Sequence, residues 1–447
     1  MTPMRRSGDA PPVRMAHLGL GAFHRSHQAW WTGAVGRSDP WGIAAFTGRN
    51  AAAASVLSAQ DGLYTLLVRG ADADRAEVVS AISRAIDGAD TAAFTGCLAD
   101  PAVRILTLTI TEAGYCRDGN GGADRADPAV AADLEALGRG DLPLRTAPGR
   151  VLAGLRARRQ ADAGPIAMVP CDNLSGNGDV LRRVVLDLAE QVDSRLAAWI
   201  GDSVSFVNTA VDRITPRSTA EDQTRAARLT GRTDQTPVVT EPFREWVLAG
   251  DFPAGRPPWE EADARFVDDV TPYEQRKLWL LNGAHSILAY GGLLRGHRTI
   301  ADAITDDSCR GWVDDWWAEA SRHLPQSVEA LAGYQAELGD RFANPRIQHL
   351  LTQVAADGTQ KLRMRAVPIL RRERAASRHG TAALRMIACW IAYLRTEPPD
   401  LADPLADRLL VTRRTRDLLA FIAPDLAEDD AIVADLDELV SRHRKGQ

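Results

Sequence analysis

The strongest constraint on the fold is the alternation of short apolar runs with amphipathic stretches over the first two-thirds of the chain. One such stretch is residues 180–200, where apolar residues recur at three- and four-residue steps, as on a helix that packs one face. Strands separated by helices need crossover connections, which predict a parallel sheet covered by helices. The predicted strands are residues 14–18, 42–46, 105–110, 166–169 and 204–207.

The pattern changes near residue 268, beyond which the chain is almost entirely helical in pattern. The predicted helices are residues 273–294, 309–323, 328–338, 382–395 and 413–422. A chain of 447 residues is also too long for one ordinary core. We therefore predict an α/β domain over residues 1–265 and a mainly α-helical domain over residues 266–447.

Composition and charge argue against several classes of protein. Hydrophobic residues make up 45% of the chain and charged residues 25%, which is typical of a globular protein. The net charge of −6 gives no reason to expect a nucleic acid or an anionic membrane as partner. Five widely spaced cysteines without a CxxC pair indicate a reducing compartment. Since there is no apolar signal core and no run of about 18 apolar residues, we expect a cytoplasmic protein.

A glycine turn, Gly19-Leu-Gly21, follows the first predicted strand and leads into a helical pattern. Backbone N–H groups at such a turn can bind a pyrophosphate, because glycine lets the backbone come close. The third glycine of the usual GxGxxG pattern is replaced by His24, so a purely structural turn is the alternative. No acidic residue follows the second strand to bind a ribose hydroxyl; Arg49 lies there instead. The residues alone therefore leave NAD and NADP both open.

The segment around Lys277 has the richest set of reactive side chains. In an ideal α-helix Asn282 lies about 140° and His285 about 80° around the axis from Lys277, so all three share one broad face. Glu274 precedes Lys277 by three residues and can approach it. A partly buried lysine can accept the proton of an alcohol while hydride leaves, and nearby donors stabilise the alkoxide. The alternative is an ordinary Glu–Lys surface pair.

Two further polar clusters follow predicted strands, where an open α/β sheet presents its ligand groups. Asp172, Asn173 and Ser175 come after residues 166–169, and Asp212 with Arg213 follows another apolar run. As alternatives, Asp172 or Ser175 caps the next helix, and Asp212 forms a structural ion pair with Arg213.

Eight motifs occur in order between residue 17 and about residue 361. They are GLGAFHRSHQ (19–28), QDGLYTL (60–66), TLTITEAGY (107–115), PCDNLSGNG (170–178), NTAVDRITP (208–216), EPFREWV (241–247), PYEQRKLWLLNGAHS (272–286) and ADGTQK (356–361). Together they resemble the polyol-specific long-chain dehydrogenases, the mannitol dehydrogenase family. The resemblance implies an N-terminal Rossmann-type, doubly wound domain, a helical substrate-binding and catalytic domain, and catalysis in a cleft without a metal.

The resemblance also implies roles for individual residues. Lys277 would be the general base, Asn173 and Asn282 would form the oxyanion site, and Glu274 would relay or gate the proton. The substrate would be positioned by His285, Asp212, Arg213, Gln353 and Lys361. The cofactor would be bound by Gly19, Gly21, Ala22, Phe23, Arg49 and Thr111. The family generally favours NAD, although Arg49 keeps NADP possible.

The resemblance implies a small sugar alcohol or sugar acid as substrate and a monomer or small homo-oligomer. Polyol-oxidising members tend to have arginine at the position of Gln353, whereas hexuronate reductases tend to have glutamine. The motif GTQK (358–361) fits the latter, but LRMR (362–365) departs from their usual continuation. We therefore favour the interconversion of D-mannonate and D-fructuronate, with mannitol 2-dehydrogenase or a related polyol dehydrogenase as the alternative.

Two rivals come from other classes. A non-catalytic nucleotide-binding regulator would not need Lys277, Asn173 and Asn282 together. A metal-dependent alcohol dehydrogenase would need a ligand set; His24 and His27 are three residues apart, but no cysteine or carboxylate cluster completes a zinc site.

Overall fold

The computed structural model describes residues 2–36, 38–48, 50–347 and 349–444. The chain divides into two compact units, one ending at Thr271 and the other beginning at Pro272. The glycine turn lies in the first unit, and the lysine segment begins the second.

A six-stranded parallel sheet forms the centre of the first unit. Numbered along the chain, its strands lie in the order 3-2-1-4-5-6, which is the order of dinucleotide-binding folds. Parallel pairing throughout the sheet confirms the predicted doubly wound, Rossmann-type domain. In spatial order the strands are Ile82–Ile86, Gly42–Phe46, Val13–Leu18, Ile105–Leu108, Ile166–Pro170 and Val204–Phe206.

The sheet separates two apolar cores, because successive side chains of a strand point to opposite faces. In the first strand Ala16 and Leu18 pack into one core, whereas Met15 packs into the other. The helices of this unit are Ala22–Ser26, Gln28–Ala34, Ala52–Ser58, Thr91–Leu98, Pro128–Arg139, Ala147–Gln160, Asn177–Val192, Ser194–Ser203 and Ala220–Thr230, with short 3-10 turns at Glu112–Tyr115 and Trp259–Ala262.

Several strands were not predicted from the sequence. One is the third strand of the parallel sheet, Ile82–Ile86, in which only Ile82 is fully buried. The others form small sheets, in which contacts between distant segments join a local hairpin or single strands and no local periodicity reveals the pairing. These strands are Thr2–Pro3, Tyr64–Arg69, Asp74–Val79, Asn208–Asp212, Arg232–Thr233, Val238–Thr240, Glu245–Ala249 and Arg265–Phe266.

The single helix predicted over residues 180–200 was wrong in one respect, because the chain breaks at Asp193. This residue is extended, with φ −162° and ψ 106°, and its side chain accepts a hydrogen bond from the Arg195 N–H. Asp193 therefore caps a second helix, and a continuous apolar pattern does not reveal such a break.

The second unit is helical in its described part, which confirms the predicted mainly α-helical C-terminal domain. None of the described helices is long and apolar enough to cross a membrane. The helices are Thr271–Arg276, Lys277–Leu281, Asn282–Leu294, Ile300–Ile304, Asp307–Ser321, Val328–Phe342, Leu351–Ala355, Gly358–Met364, Ala366–Ala375, Thr381–Leu394, Ala406–Val411, Thr415–Ile422, Pro424–Ala427 and Asp430–Arg444.

Candidate active site

The glycine turn lies at the carboxyl end of the first strand of the parallel sheet. Gly19 has φ +110°, and a Cβ atom there would lie 2.0 Å from the Thr109 carbonyl oxygen, so this position requires glycine. The N–H groups of Gly19 and Leu20 both donate to the Phe46 carbonyl, at 2.9 and 2.8 Å. The turn is therefore held by the strands on either side of it.

Gly21 is different, because steric crowding does not require glycine there. The nearest atom to a Cβ at Gly21 is the Gly19 carbonyl oxygen at 3.6 Å. The open space beside this backbone is what the second glycine of a dinucleotide site provides, since it lets a pyrophosphate approach. Ala22 and Phe23, which begin the next helix, are both half-buried. The turn thus fits a dinucleotide cofactor.

His24 occupies the position of the missing third glycine, and its contacts explain why glycine is not needed. Its ring stacks on His17 of the first strand, with 3.3 Å between ring centroids, and both residues are fully buried. Burial lowers the pKa of His17 to about 3, and burial with the neighbouring His17 holds the pKa of His24 well below its usual range. Two flat, neutral rings therefore provide the close helix–strand packing that a glycine gives elsewhere. Sequence reasoning missed this pair.

The two remaining predicted cofactor residues are Thr111 and Arg49. Thr111 is exposed and precedes the short helix Glu112–Tyr115. Arg49 lies outside the described residues, so its role in choosing between NAD and NADP stays a prediction.

The segment after the strand Ile166–Pro170 contains a buried carboxyl group. Asp172 accepts hydrogen bonds from the Ile110 N–H and the Tyr115 hydroxyl. Burial raises its pKa to about 7, although both hydrogen bonds oppose the shift. Asn173, the next residue, is exposed. Asp172 therefore links the segment bearing Asn173 to the loop after the neighbouring strand, a role that sequence reasoning did not predict.

The capping alternative for Asp172 and Ser175 was wrong, because Gly176 is the N-cap of the following helix and the Asn208 side chain accepts from the Gly178 and Asp179 N–H groups. Asn177 is the more important structural residue here. Its side chain donates to the Asp172 and Thr209 carbonyls and accepts from the Thr209 N–H. It thereby joins the ends of two strands, and the sequence offered only its polar character as a signal.

The predicted ion pair between Asp212 and Arg213 was also wrong. Both residues are buried, but within the described chain Arg213 bonds to the carbonyls of Ser26 and Glu241. Its guanidinium also lies over the Trp30 ring, 5.1 Å from the centroid. The roles of Asp212 and Arg213 in substrate binding stay predictions.

The lysine segment of the second unit contains a turn of π-helix, Lys277–Leu281, between the α-helices Thr271–Arg276 and Asn282–Leu294. The Asn282 N–H donates to the carbonyls of both Leu278 and Lys277. A bond to the fifth preceding residue widens the turn, so the angle around the axis from Lys277 to Asn282 is smaller than the about 140° of an ideal α-helix. The ideal α-helical angle therefore overstates the separation of Lys277 and Asn282 around the axis.

Two tryptophans bind the widened turn. The indole N–H of Trp316 donates to the Trp279 carbonyl at 2.7 Å, and that of Trp317 donates to the Leu280 carbonyl at 2.9 Å. Gly283 allows this approach, because a Cβ there would lie 2.4 Å from the Trp316 Nε1. The bonds satisfy backbone carbonyls at a wide turn, where helix hydrogen bonding is irregular.

Lys277, Glu274 and Asn282 are each half-buried, and His285 is buried. The His285 ring lies 4.8 Å from that of Phe342 and 5.1 Å from that of His349. Burial, followed by the nearby His349, holds the pKa of His285 well below its usual range, so this imidazole is neutral. A neutral imidazole can donate and accept hydrogen bonds with sugar hydroxyls.

Lys361 lies on the helix Gly358–Met364, is half-buried, and donates to the Val354 carbonyl at 3.0 Å. Gln353, the predicted specificity residue, is exposed on the helix Leu351–Ala355. Arg365 was not predicted. It is buried, and its Nη1 donates to the Asn282 carbonyl and the Ser286 hydroxyl.

One cluster of possible metal ligands occurs in the described parts of the chain: His297, Asp306 and Cys309. Asp306 already bonds to Arg295 and His297 and caps the helix Asp307–Ser321. Because the Asp306 carboxylate already pairs with Arg295 and caps a helix, we interpret this cluster as structural.

A doubly wound domain with a glycine turn at its first strand, followed by a helical domain, defines a class of NAD-binding oxidoreductases. The model of the mannitol dehydrogenase Rossmann domain matches residues 13–261, and that of the mannitol dehydrogenase C-terminal domain matches residues 269–428. The chain therefore belongs to the mannitol dehydrogenase family.

Individual relatives carry different names. The D-mannonate oxidoreductase of Escherichia coli is 37% identical over 371 residues, covering 80% of this chain and 75% of the relative. The mannitol 2-dehydrogenase of Cereibacter sphaeroides is 34% identical over 441 residues, covering 94% and 91%. The structure of Pseudomonas fluorescens mannitol 2-dehydrogenase with NAD and D-mannitol has a TM-score of 0.81 and 32% identity, covering 100% of this chain and 94% of that one. The chain is a polyol or sugar-acid oxidoreductase of this family.

Proposed function

We propose that the protein interconverts D-mannonate and D-fructuronate, a secondary alcohol and its ketone on a linear sugar acid, with Lys277 as general base. The name of the 37% identical relative and the GTQK motif support this substrate. Mannitol 2-dehydrogenase activity is the alternative, supported by the relative that covers more of the chain.

The observation that carries the proposal for Lys277 is how rarely this chain uses lysine instead of arginine. Only three of the 53 lysines and arginines are lysines, at positions 277, 361 and 445. Arginine stays protonated in proteins and cannot accept a proton, whereas a half-buried lysine can lose its proton near neutral pH. In a chain that uses arginine almost everywhere, Lys277 is one of the few basic side chains that can accept a proton.

The neighbours of Lys277 support the same chemistry. In the oxidation, Lys277 Nζ takes the hydroxyl proton of the substrate, and the Asn282 side-chain amide donates a hydrogen bond to the alkoxide that forms. Neutral His285 would bind a further hydroxyl. Asn173 would be a second donor to the oxygen and Glu274 a path for the proton, as the resemblance implies.

The glycine turn would hold the cofactor through the open backbone at Gly21, with Ala22 and Phe23 beside it. When bound, NAD supplies the hydride acceptor for the oxidation. No metal is part of the proposed chemistry, because Lys277 provides the base. We further propose a cytoplasmic protein that acts on a small molecule without a nucleic acid partner.

Three lysine variants test the role of Lys277. Lys277→Ala and Lys277→Arg should each lower kcat by at least about a hundredfold, since general-base catalysis contributes about 10²–10⁴. NADH binding, measured by fluorescence, should stay within about twofold of the wild-type value. Lys445→Ala is the matched control and should leave kcat unchanged. Near-normal turnover by Lys277→Arg would refute the general base, because arginine retains the charge but not the proton transfer.

A further inference from the structure

Lys361 and Arg365 form an unusual pair of like charges in the second unit. The Arg365 N–H donates to the Lys361 carbonyl at 2.9 Å, which places the two side chains one helical turn apart on one face. Like charges at this spacing destabilise a helix. Burial lowers the pKa of Lys361, and the Arg365 charge lowers it further. The pair therefore costs folding free energy unless something neutralises it.

The protein neutralises this pair only in part, because the carboxylates of Asp357 and Asp403 raise the pKa of Lys361 by less than burial and Arg365 lower it. Across the residues that the structure describes, Lys361 bonds to the Val354 carbonyl, and Arg365 bonds through Nη1 to a carbonyl and a hydroxyl. The Arg365 Nε is buried without a hydrogen-bond partner. Asp403, a nearby carboxylate, instead accepts from Thr359 and the Leu405 N–H.

The titratable groups near the pair include the carboxylates of Asp357 and Asp403, the phenol of Tyr290 and two histidines. The charges of Arg365 and Lys361 both lower the pKa of buried His285, and Lys361 lowers that of His349. A buried cation normally has an anionic partner, because an unpaired buried charge is costly. Arg365 is 9% exposed and has none in the described chain.

We propose that Arg365 and Lys361 together bind the carboxylate of an acidic linear sugar, an inference that rests on the proposed function. The Arg365 contact to the Asn282 backbone places this anion site beside the residue proposed to hold the reacting oxygen. A carboxylate would neutralise the pair, whereas the hydroxymethyl group of a polyol would leave the Arg365 charge without an anionic partner. Arg365 would thereby select sugar acids over sugar alcohols.

D-Mannonate and D-mannitol are matched probes, because they differ only in a carboxylate against a hydroxymethyl group. Their dissociation constants from the NADH-bound full chain would be measured by calorimetry, which does not require turnover. Arg365→Met should weaken D-mannonate binding about ten- to a hundredfold, as expected for loss of a charge-assisted hydrogen bond, and change D-mannitol binding less than about twofold. Arg365→Lys should recover most of the D-mannonate affinity.

Arg363→Met is the control, because Arg363 is exposed on the same helix and bonds to the Phe421 carbonyl. It should leave both dissociation constants unchanged. Equal weakening of both probes by Arg365→Met, or no weakening of D-mannonate, would overturn the anion site. Turnover of D-mannonate is measured separately: a wild-type protein that binds but does not oxidise it retains the anion site and refutes the proposed substrate.

Discussion

The two glycines of the cofactor turn allow one prediction to be worked out from the structure. At Gly19 an alanine would meet the Thr109 carbonyl oxygen at 2.0 Å while φ stays at +110°. Strain at such a backbone conformation costs about 1–3 kcal/mol, and overpacking costs about 1–3 kcal/mol more. Gly19→Ala should therefore lower the free energy of unfolding of this domain by about 2–6 kcal/mol.

Gly21→Ala is the matched variant, because the nearest atom to its new Cβ lies at 3.6 Å and its φ of −141° suits any residue. The free energy of unfolding should change by less than about 1 kcal/mol. The methyl group would nevertheless occupy the space where a pyrophosphate approaches, so NADH should bind at least about tenfold more weakly. The two positions should thus separate folding from cofactor binding.

The assays are urea unfolding followed by tryptophan fluorescence and NADH titration of each folded variant. Wild-type NADH affinity in Gly21→Ala would refute the assignment of the turn as the pyrophosphate site. Unchanged stability of Gly19→Ala would refute the steric argument.

The remaining predictions concern the tryptophan contacts and the buried carboxyl group. Trp316→Phe leaves the Trp279 carbonyl without its donor. It should lower the free energy of unfolding by about 1–3 kcal/mol in urea unfolding, and lower kcat without changing NADH affinity. A wild-type kcat would show that the π turn does not need this bond. Asp172 has a pKa of about 7 in the folded state, against about 3.9 in the unfolded state. Between these values the folded state binds more protons than the unfolded state. The free energy of unfolding therefore falls as pH rises through this range, by at most about 4 kcal/mol. Asp172→Asn should abolish that fall between pH of about 5 and about 8 in urea unfolding, and an unchanged pH dependence would show that another group causes it.

The predicted parts of the fold are those governed by local pattern. Five of the strands in the parallel sheet were predicted within about two residues at each end, because buried strands between helices are continuous apolar runs. The hairpin Tyr64–Arg69 with Asp74–Val79 was missed because its second strand is mostly polar and exposed. Its pairing with Val238–Thr240 depends on a distant segment.

The features of the candidate site also divide into those that local sequence predicts and those that depend on distant contacts. Lys277, Asn282 and His285 were predicted as one set because helical spacing and a family motif are both written in consecutive residues. The π turn between Lys277 and Asn282 could not be predicted, because the tryptophans that donate to its backbone carbonyls lie 37 residues further along the chain.

The sequence by itself determined the α/β and helical domains, the glycine turn and the identities of the reactive side chains, since each depends on residues close together in the chain. Tertiary structure alone decided how His24 replaces a glycine, how the lysine turn is widened, and that Arg365 lies buried without a carboxylate partner among the described residues. These features depend on contacts between segments far apart in sequence, and a linear pattern carries no information about which buried groups will meet.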